Sequence, residues 1–205
     1  MKNKLILWEI ALMAGVLCAL FWSCWVEQEQ VALAERVVRL HVIANSDSVE
    51  DQALKLKVRD RILDETERLC IDSLTKEEAC AQLKPHLDSL AEAGKAVVEE
   101  AGYSYSVAAR LTNTWFPTKE YEGFALPAGE YGALQIVIGE GEGENWWCVA
   151  FPPLCVGAAS QEIEDAVQAG HFTQEQAALL ACEEPKYILK FKSMELLGHW
   201  KEKIF

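Results

Sequence analysis

Positions Leu5 to Trp25 form a run of 21 residues that is apolar apart from Glu9, Ser23 and the small Gly15. Coiled as a helix at about 1.5 Å per residue, such a run is roughly 31 Å long, which matches the hydrocarbon core of a bilayer. Residues 1–26 are therefore expected to be a membrane-spanning or signal helix. Lys2 and Lys4 precede the run and Glu27 and Glu29 follow it. The positive-inside bias then keeps the N-terminus cytoplasmic and exports everything beyond Trp25. Glu9 sits near the cytoplasmic end, where a carboxylate can reach the interface, and is read as structural. The run is longer than the roughly 7–15 apolar residues of a signal peptide. A cleavage site at Ala32-Leu33-Ala34 lies several residues past it, so an uncleaved anchor with a linker over 27–34 is favoured.

Residues 35–205 are about the size of one domain, and the 51% hydrophobic content of the chain is enough for a packed core. Beyond the apolar run the chain carries 17 basic against 31 acidic side chains, a charge of −14. That surplus repels phosphates and anionic head groups, which disfavours nucleic acids and membrane surfaces as partners of the domain. Cys70, Cys80, Cys148, Cys155 and Cys182 fall in the exported part. The closest pair, Cys148 and Cys155, spans two prolines; the spacing leaves open a disulfide or two reduced, packed cysteines. No Cys-x-x-Cys occurs and the histidines are dispersed, so no metal or cofactor is expected.

Residues 36–44 alternate β-branched residues with Arg39 and His41 and read as a strand. Asp47 followed by Glu50 has the form of a capping box, opening a helix over Val49–Cys70 with apolar residues at helical spacing. A second helical stretch runs from about Thr75 to Glu100, with a break or kink at Pro85 and an end at Gly102. Period-two alternation then predicts strands from Tyr103 to Leu111, Tyr131 to Ile138 and Trp146 to Phe151. The last two flank Gly-Glu-Gly-Glu-Gly-Glu-Asn at 139–145, a flexible acidic turn typical of a hairpin. Short helical pieces are expected over 160–182 and a last strand over Tyr187–Leu196. The order β-α-α-β-β-β-α-β implies an α+β fold: one globular domain with helices packed on a mostly antiparallel sheet.

His41, Asn45, Ser46 and Asp47 place a base, an amide, a hydroxyl and a carboxylate within seven residues at a strand-to-helix turn. Helix capping is the favoured reading, because a hydrolase needs a nucleophile signature and an oxyanion hole, and no Gly-x-Ser-x-Gly is present. The glycines at 139–143 resemble a phosphate loop, but the intervening glutamates would repel a phosphate. Adjacent side chains of a strand point to opposite faces, so Trp146 and Trp147 cannot both enter one core. Either one faces outward as a protein-binding hot spot, or a second layer covers both. The stretch Trp115-Phe116-Pro117-Thr118-Lys119 has the same aromatic and proline character and is placed beside them.

These residues fall into long ordered motifs: His41-Val42-Ile43-Ala44-Asn45-Ser46-Asp47; Asp51-Gln52-x-Leu54-Lys55-x-x-Val58-Arg59-Asp60; Phe116-Pro117-Thr118-Lys119; Leu126-Pro127-Ala128-Gly129-Glu130-Tyr131; and Asn145-Trp146-Trp147-Cys148-Val149-x-Phe151-Pro152-Pro153-Leu154-Cys155. Over roughly residues 35–157 the chain resembles the stage II sporulation protein R family of endospore-forming Firmicutes. The resemblance implies a protein made in the forespore and exported into the space between the two sporulation membranes. There it triggers a membrane-embedded aspartic protease of the mother cell to mature pro-sigma-E. It implies a signalling ligand rather than an enzyme, with no small-molecule substrate. Trp146, Trp147, Phe151 and Phe116 are the first contact candidates, followed by His41, Asn45 and Asp47. An extracytoplasmic cell-wall hydrolase using His41 and Asp47 is the alternative.

Overall fold

The computed structural model describes residues 12–18, 33–121, 124–154 and 167–173. The chain divides into one unit over Met1–Leu33 and a second over Ala34–Phe205. In the first unit, residues 12–18 are helical and exposed. Among the described residues no helix is long and apolar enough to cross a membrane. Most of the apolar run, with the spanning helix expected of it, lies outside them, as do most of 160–182 and all of the strand expected over Tyr187–Leu196.

The second unit begins with β1 (Val38–Ile43), followed by α1 (Val49–Cys70), α2 (Lys76–Leu83), a single 3-10 turn (Lys84–His86) and α3 (Leu87–Glu100). Then come β2 (Val107–Phe116), β3 (Lys119–Tyr121), β4 (Phe124–Leu126), β5 (Gly129–Ile138) and β6 (Asn145–Phe151). The expected stretch over 75–100 is two helices. Pro85 sits inside the 3-10 turn, where it supplies no amide hydrogen to continue the ladder. Thr75 and Glu78 close a capping box at the start of α2, and Gly102 ends α3 at a φ of 86°.

β2, β5, β1 and β6 form one sheet in that order, and β3 and β4 form a separate two-stranded ribbon. β1 runs parallel to β5 and antiparallel to β6, while β2 and β5 are antiparallel. The fold is α+β, with three described helices on a mixed, mostly antiparallel sheet. The strand expected from Tyr103 begins four residues later and runs on to Phe116, and the loop expected around Pro117 carries the β3–β4 ribbon.

The hairpin expected between β5 and β6 does not form, because β1 lies between them. The cause lies in β1: five of its six residues are buried, Val38, Leu40 and Val42 against apolar neighbours and Arg39 and His41 needing hydrogen-bond partners, and such a strand is most stable with neighbours on both edges. Val38, Leu40 and Val42 turn to the helix side and join Leu134, Ile136, Ile138 and Cys148 with Leu54, Val58, Ile62, Leu90 and Val98 in one core. α1 buries positions 51, 54, 55, 58, 62, 63, 66 and 70, the three-to-four spacing of a single helical stripe. α3 comes in close at Gly94, where a Cβ would lie 3.0 Å from Val107 Cγ1 and 3.4 Å from Val58 Cγ1.

Ile62 is completely buried at the centre of this layer. Ile62→Ala is expected to lower unfolding free energy by roughly 2–5 kcal/mol in urea denaturation without changing the slope of the transition.

Candidate functional site

Two constructions meet at the end of β1. The first is the turn from β1 into α1. Ser48, one residue later than expected, is the N-cap of α1, and its hydroxyl accepts from the Asp51 amide at 3.1 Å. The capping box read from Asp47 and Glu50 is corrected to a single N-cap bond at Ser48, which frees the residues before it for other bonds. Asp51 is buried and accepts from Ser46 Oγ at 2.6 Å and Asn45 Nδ2 at 2.8 Å. The Ser46 hydroxyl, followed by the Asn45 amide, holds the Asp51 carboxyl below its ordinary value against the opposing effect of burial.

The acidic connector after β5 folds onto this turn. Glu142 and Gly143 donate backbone bonds to the Asn45 and Ala44 carbonyls at 3.2 and 3.0 Å. Glu140 N donates to Asn45 Oδ1 at 3.1 Å and Glu144 N to Asp47 Oδ1 at 2.7 Å. Lys55 Nζ, buried on α1, donates to the Glu144 carbonyl at 2.9 Å and to Gln52 Oε1. The expectation of a flexible turn is corrected: the glycines are there for close approach. Gly139 and Gly141 take positive φ values of 58° and 67°. A Cβ on Gly143 would collide with the Ser46 carbonyl and lie 2.9 Å from Ala44 Cβ. Asn45 and Asp47 are thus holding groups for the connector.

The second construction is the sheet face opposite the helices. In register, Arg110 on β2 opposes Gln135 on β5, Gln135 opposes His41 on β1, and His41 opposes Trp147 on β6. One row of side chains crosses all four strands. Arg110 Nε donates to Gln135 Oε1 at 2.6 Å, which turns the Gln135 amide nitrogen toward His41 Nδ1 at 2.9 Å. His41 Nε2 lies 2.8 Å from Asn145 Oδ1, an acceptor. His41 is thereby fixed as the neutral Nε2–H tautomer, because a second proton would face the Gln135 donor. Burial holds its pKa below the ordinary 6.5, with Arg110 in the same direction and the Asn145 bond opposing.

Trp147 stacks on the His41 ring at a centroid distance of 3.9 Å, and Phe116 meets Trp147 edge-on at 4.6 Å. The stretch around Phe116 thus lies beside the β6 aromatics, as its composition implied. Trp146 points to the other face, against the core, beneath the Arg59 guanidinium at 4.5 Å. Each tryptophan is half-buried. Phe116 and Phe151 are corrected as contact candidates: at 0% and 2% exposure they are core residues and offer no surface. Cys148 is disulfide-bonded, and Cys155 lies outside the described residues. Among the described residues no group of histidines, cysteines and carboxylates could hold a metal ion.

The sequence reading missed Arg39, which is fully buried. Its Nε donates to the Cys148 carbonyl at 3.0 Å and its Nη2 to the Tyr121 hydroxyl at 2.8 Å. Its guanidinium lies 4.3 Å from the Phe116 ring centre and 5.0 Å from that of Tyr131. The only available signal was its place two residues from His41, on the same face of β1.

Comparison with known proteins agrees with the motif spacing. A family described as stage II sporulation protein R matches residues 34–161. The chain belongs to the stage II sporulation protein R family. It is 38% identical over 144 residues to stage II sporulation protein R of Bacillus subtilis (strain 168), a match covering 68% of this chain and 64% of that protein. The chain thus spans just under two thirds of that relative's length. No solved structure matches the chain. The family match takes in both constructions, from β1 through β6.

Two outcomes follow from this geometry. Gly143→Ala should destabilise the domain by roughly 1–3 kcal/mol in urea denaturation through overpacking of the turn. Because the folded His41 pKa lies below the unfolded one, the unfolded chain takes up the proton first. Its share of stability is complete above about pH 6.5 and falls as pH drops through the folded value. Asp51 acts in the same direction but only below about pH 4, its unfolded range. Urea melts between pH 7.5 and 5 should therefore weaken for the natural chain and flatten for His41→Gln.

Proposed function

We propose that the chain is a sporulation signalling protein that activates a membrane-embedded aspartic protease of the mother cell by contact, so that the protease processes pro-sigma-E. In this reading the apolar segment over 1–26 directs export from the forespore, with the N-terminus cytoplasmic if the segment is retained. The domain over 35–205 then acts in the intermembrane space. Binding shifts the protease toward its active state through a difference in affinity between its two states.

The observation that carries the reading is the use of His41. Both ring nitrogens are engaged, one by Gln135 and one by Asn145, so the imidazole has no free lone pair with which to activate a nucleophile. Asp47, the other group a hydrolase would recruit, spends an oxygen on the Glu144 amide. The residues that a cell-wall hydrolase would use are therefore committed to holding strands and loops in place. Family membership supports the sporulation role, and a half-buried tryptophan on a rigid polar row is the composition of an interface anchor. The charge of −14 beyond the apolar run argues that contact rests on protein surface rather than on anionic lipid.

Co-production of the chain with the protease and pro-sigma-E, scored by precursor cleavage, tests the reading. Cleavage should depend on the chain and drop at least about tenfold with Trp147→Ala at unchanged expression. Cleavage that proceeds equally without the chain removes the proposal.

A further inference from the structure

The described residues give Arg39 no anionic partner. Its guanidinium is fully buried, makes none of the ion pairs among the described residues, and leaves Nη1 without any hydrogen-bond acceptor among them. The described groups around it are uncharged: the Phe116 ring, the Cys148 carbonyl and the phenols of Tyr121 and Tyr131. Burial pushes the Tyr131 phenol up to about 12 and raises that of Tyr121, so neither supplies a phenolate. A buried cation without a counter-charge is costly in a folded domain, and an apolar side chain of similar length at the same position is commonly neutral or stabilising. In a chain of net charge −13 the missing anion is not a matter of composition.

We propose that Arg39 is the anchor for a carboxylate side chain of the protein partner, which takes the Nη1–Nη2 edge when the Tyr121 phenol swings aside. The inference rests on the activator reading above and names the chemistry of its contact. Nη1 and Nη2 form the planar fork that matches two carboxylate oxygens. Tyr121 now holds Nη2 and donates its own hydroxyl to the Trp147 carbonyl at 3.0 Å, which ties this pocket to the half-buried tryptophan of the same face. A single positive charge among neutral walls balances one carboxylate, whereas a phosphate would leave excess negative charge buried. The net negative charge of the chain opposes a densely charged anionic lipid surface more than it opposes a single carboxylate. The partner is therefore a protein segment bearing Asp or Glu.

The test compares full-length wild type, Arg39→Met and Arg39→Lys for thermal unfolding and for binding to detergent-solubilised protease. Arg39→Met should melt cooperatively within a few degrees of wild type, yet bind about 30-fold or more weakly. Arg39→Lys, which keeps the charge and loses the fork, should fall between the two. An Arg39→Met chain that binds within twofold of wild type overturns the inference while leaving the activator reading intact. One that loses its cooperative melt makes Arg39 a structural residue and overturns it as well. Capture of wild type but not Arg39→Met by phosphatidylglycerol vesicles lacking protease assigns the anion to lipid, which also overturns it. A wild-type chain that does not bind the protease removes the activator reading, and the inference falls with it.

Discussion

Enclosure of β1 on both faces and both edges sets the rest of the domain. Its even positions, Val38, Leu40 and Val42, must meet an apolar layer, and α1 and α3 supply it. Its odd positions, Arg39 and His41, are polar and equally buried, so they must find hydrogen-bond partners on the other face. β5 and β6 provide those partners only if they flank β1, which fixes the strand order and explains why the glycine-rich connector does not make a hairpin. One alternating six-residue segment thus divides the molecule into an apolar half, which supplies stability, and a polar and aromatic half, which carries the features expected of recognition.

The two constructions around β1 are mechanically joined. The connector that brings the chain from β5 to β6 must pass over the β1–α1 turn, and its backbone is tied there by Ala44, Asn45 and Asp47. The next residue, Asn145, accepts from His41. Fixing the turn therefore also fixes the position of Trp147 two residues on. A surface held this way loses little conformational freedom on binding, which favours affinity through pre-organisation. The same rigidity argues against acid–base work by these side chains, since both His41 ring nitrogens and one Asp47 oxygen are already bonded within the fold.

Much of this was legible in the residues. The helix over Val49–Cys70, the break at Pro85, the end at Gly102 and the opposed directions of Trp146 and Trp147 all follow from local periodicity, and local rules decide them. The pairing of β1 with both β5 and β6 is a long-range choice that alternation alone does not encode, and local rules pair the adjacent strands across their glycine-rich linker instead. Glycine signals a turn whether it supplies flexibility or close approach, and only the neighbouring Asn45 and Ser46 distinguish the two. Phe116 and Phe151 carry the composition of a binding surface, yet aromatic residues next to proline are equally suited to closing a core. Arg39 was hidden because a basic residue in a half-polar strand ordinarily faces water. Its burial depends on Phe116, Tyr121 and Tyr131, which are 77 to 92 residues distant in the chain.

We propose that this member of the stage II sporulation protein R family conveys a signal by occupying a partner rather than by turnover. The most direct measurement is a titration of purified full-length chain against a fixed quantity of reconstituted protease and precursor, reading cleavage rate. The account predicts a rate that rises with added chain and saturates when the chain matches the protease in number under tight-binding conditions. Maximal cleavage at a few per cent of that ratio, persisting after the chain is removed, would mean that each molecule acts many times and would contradict it.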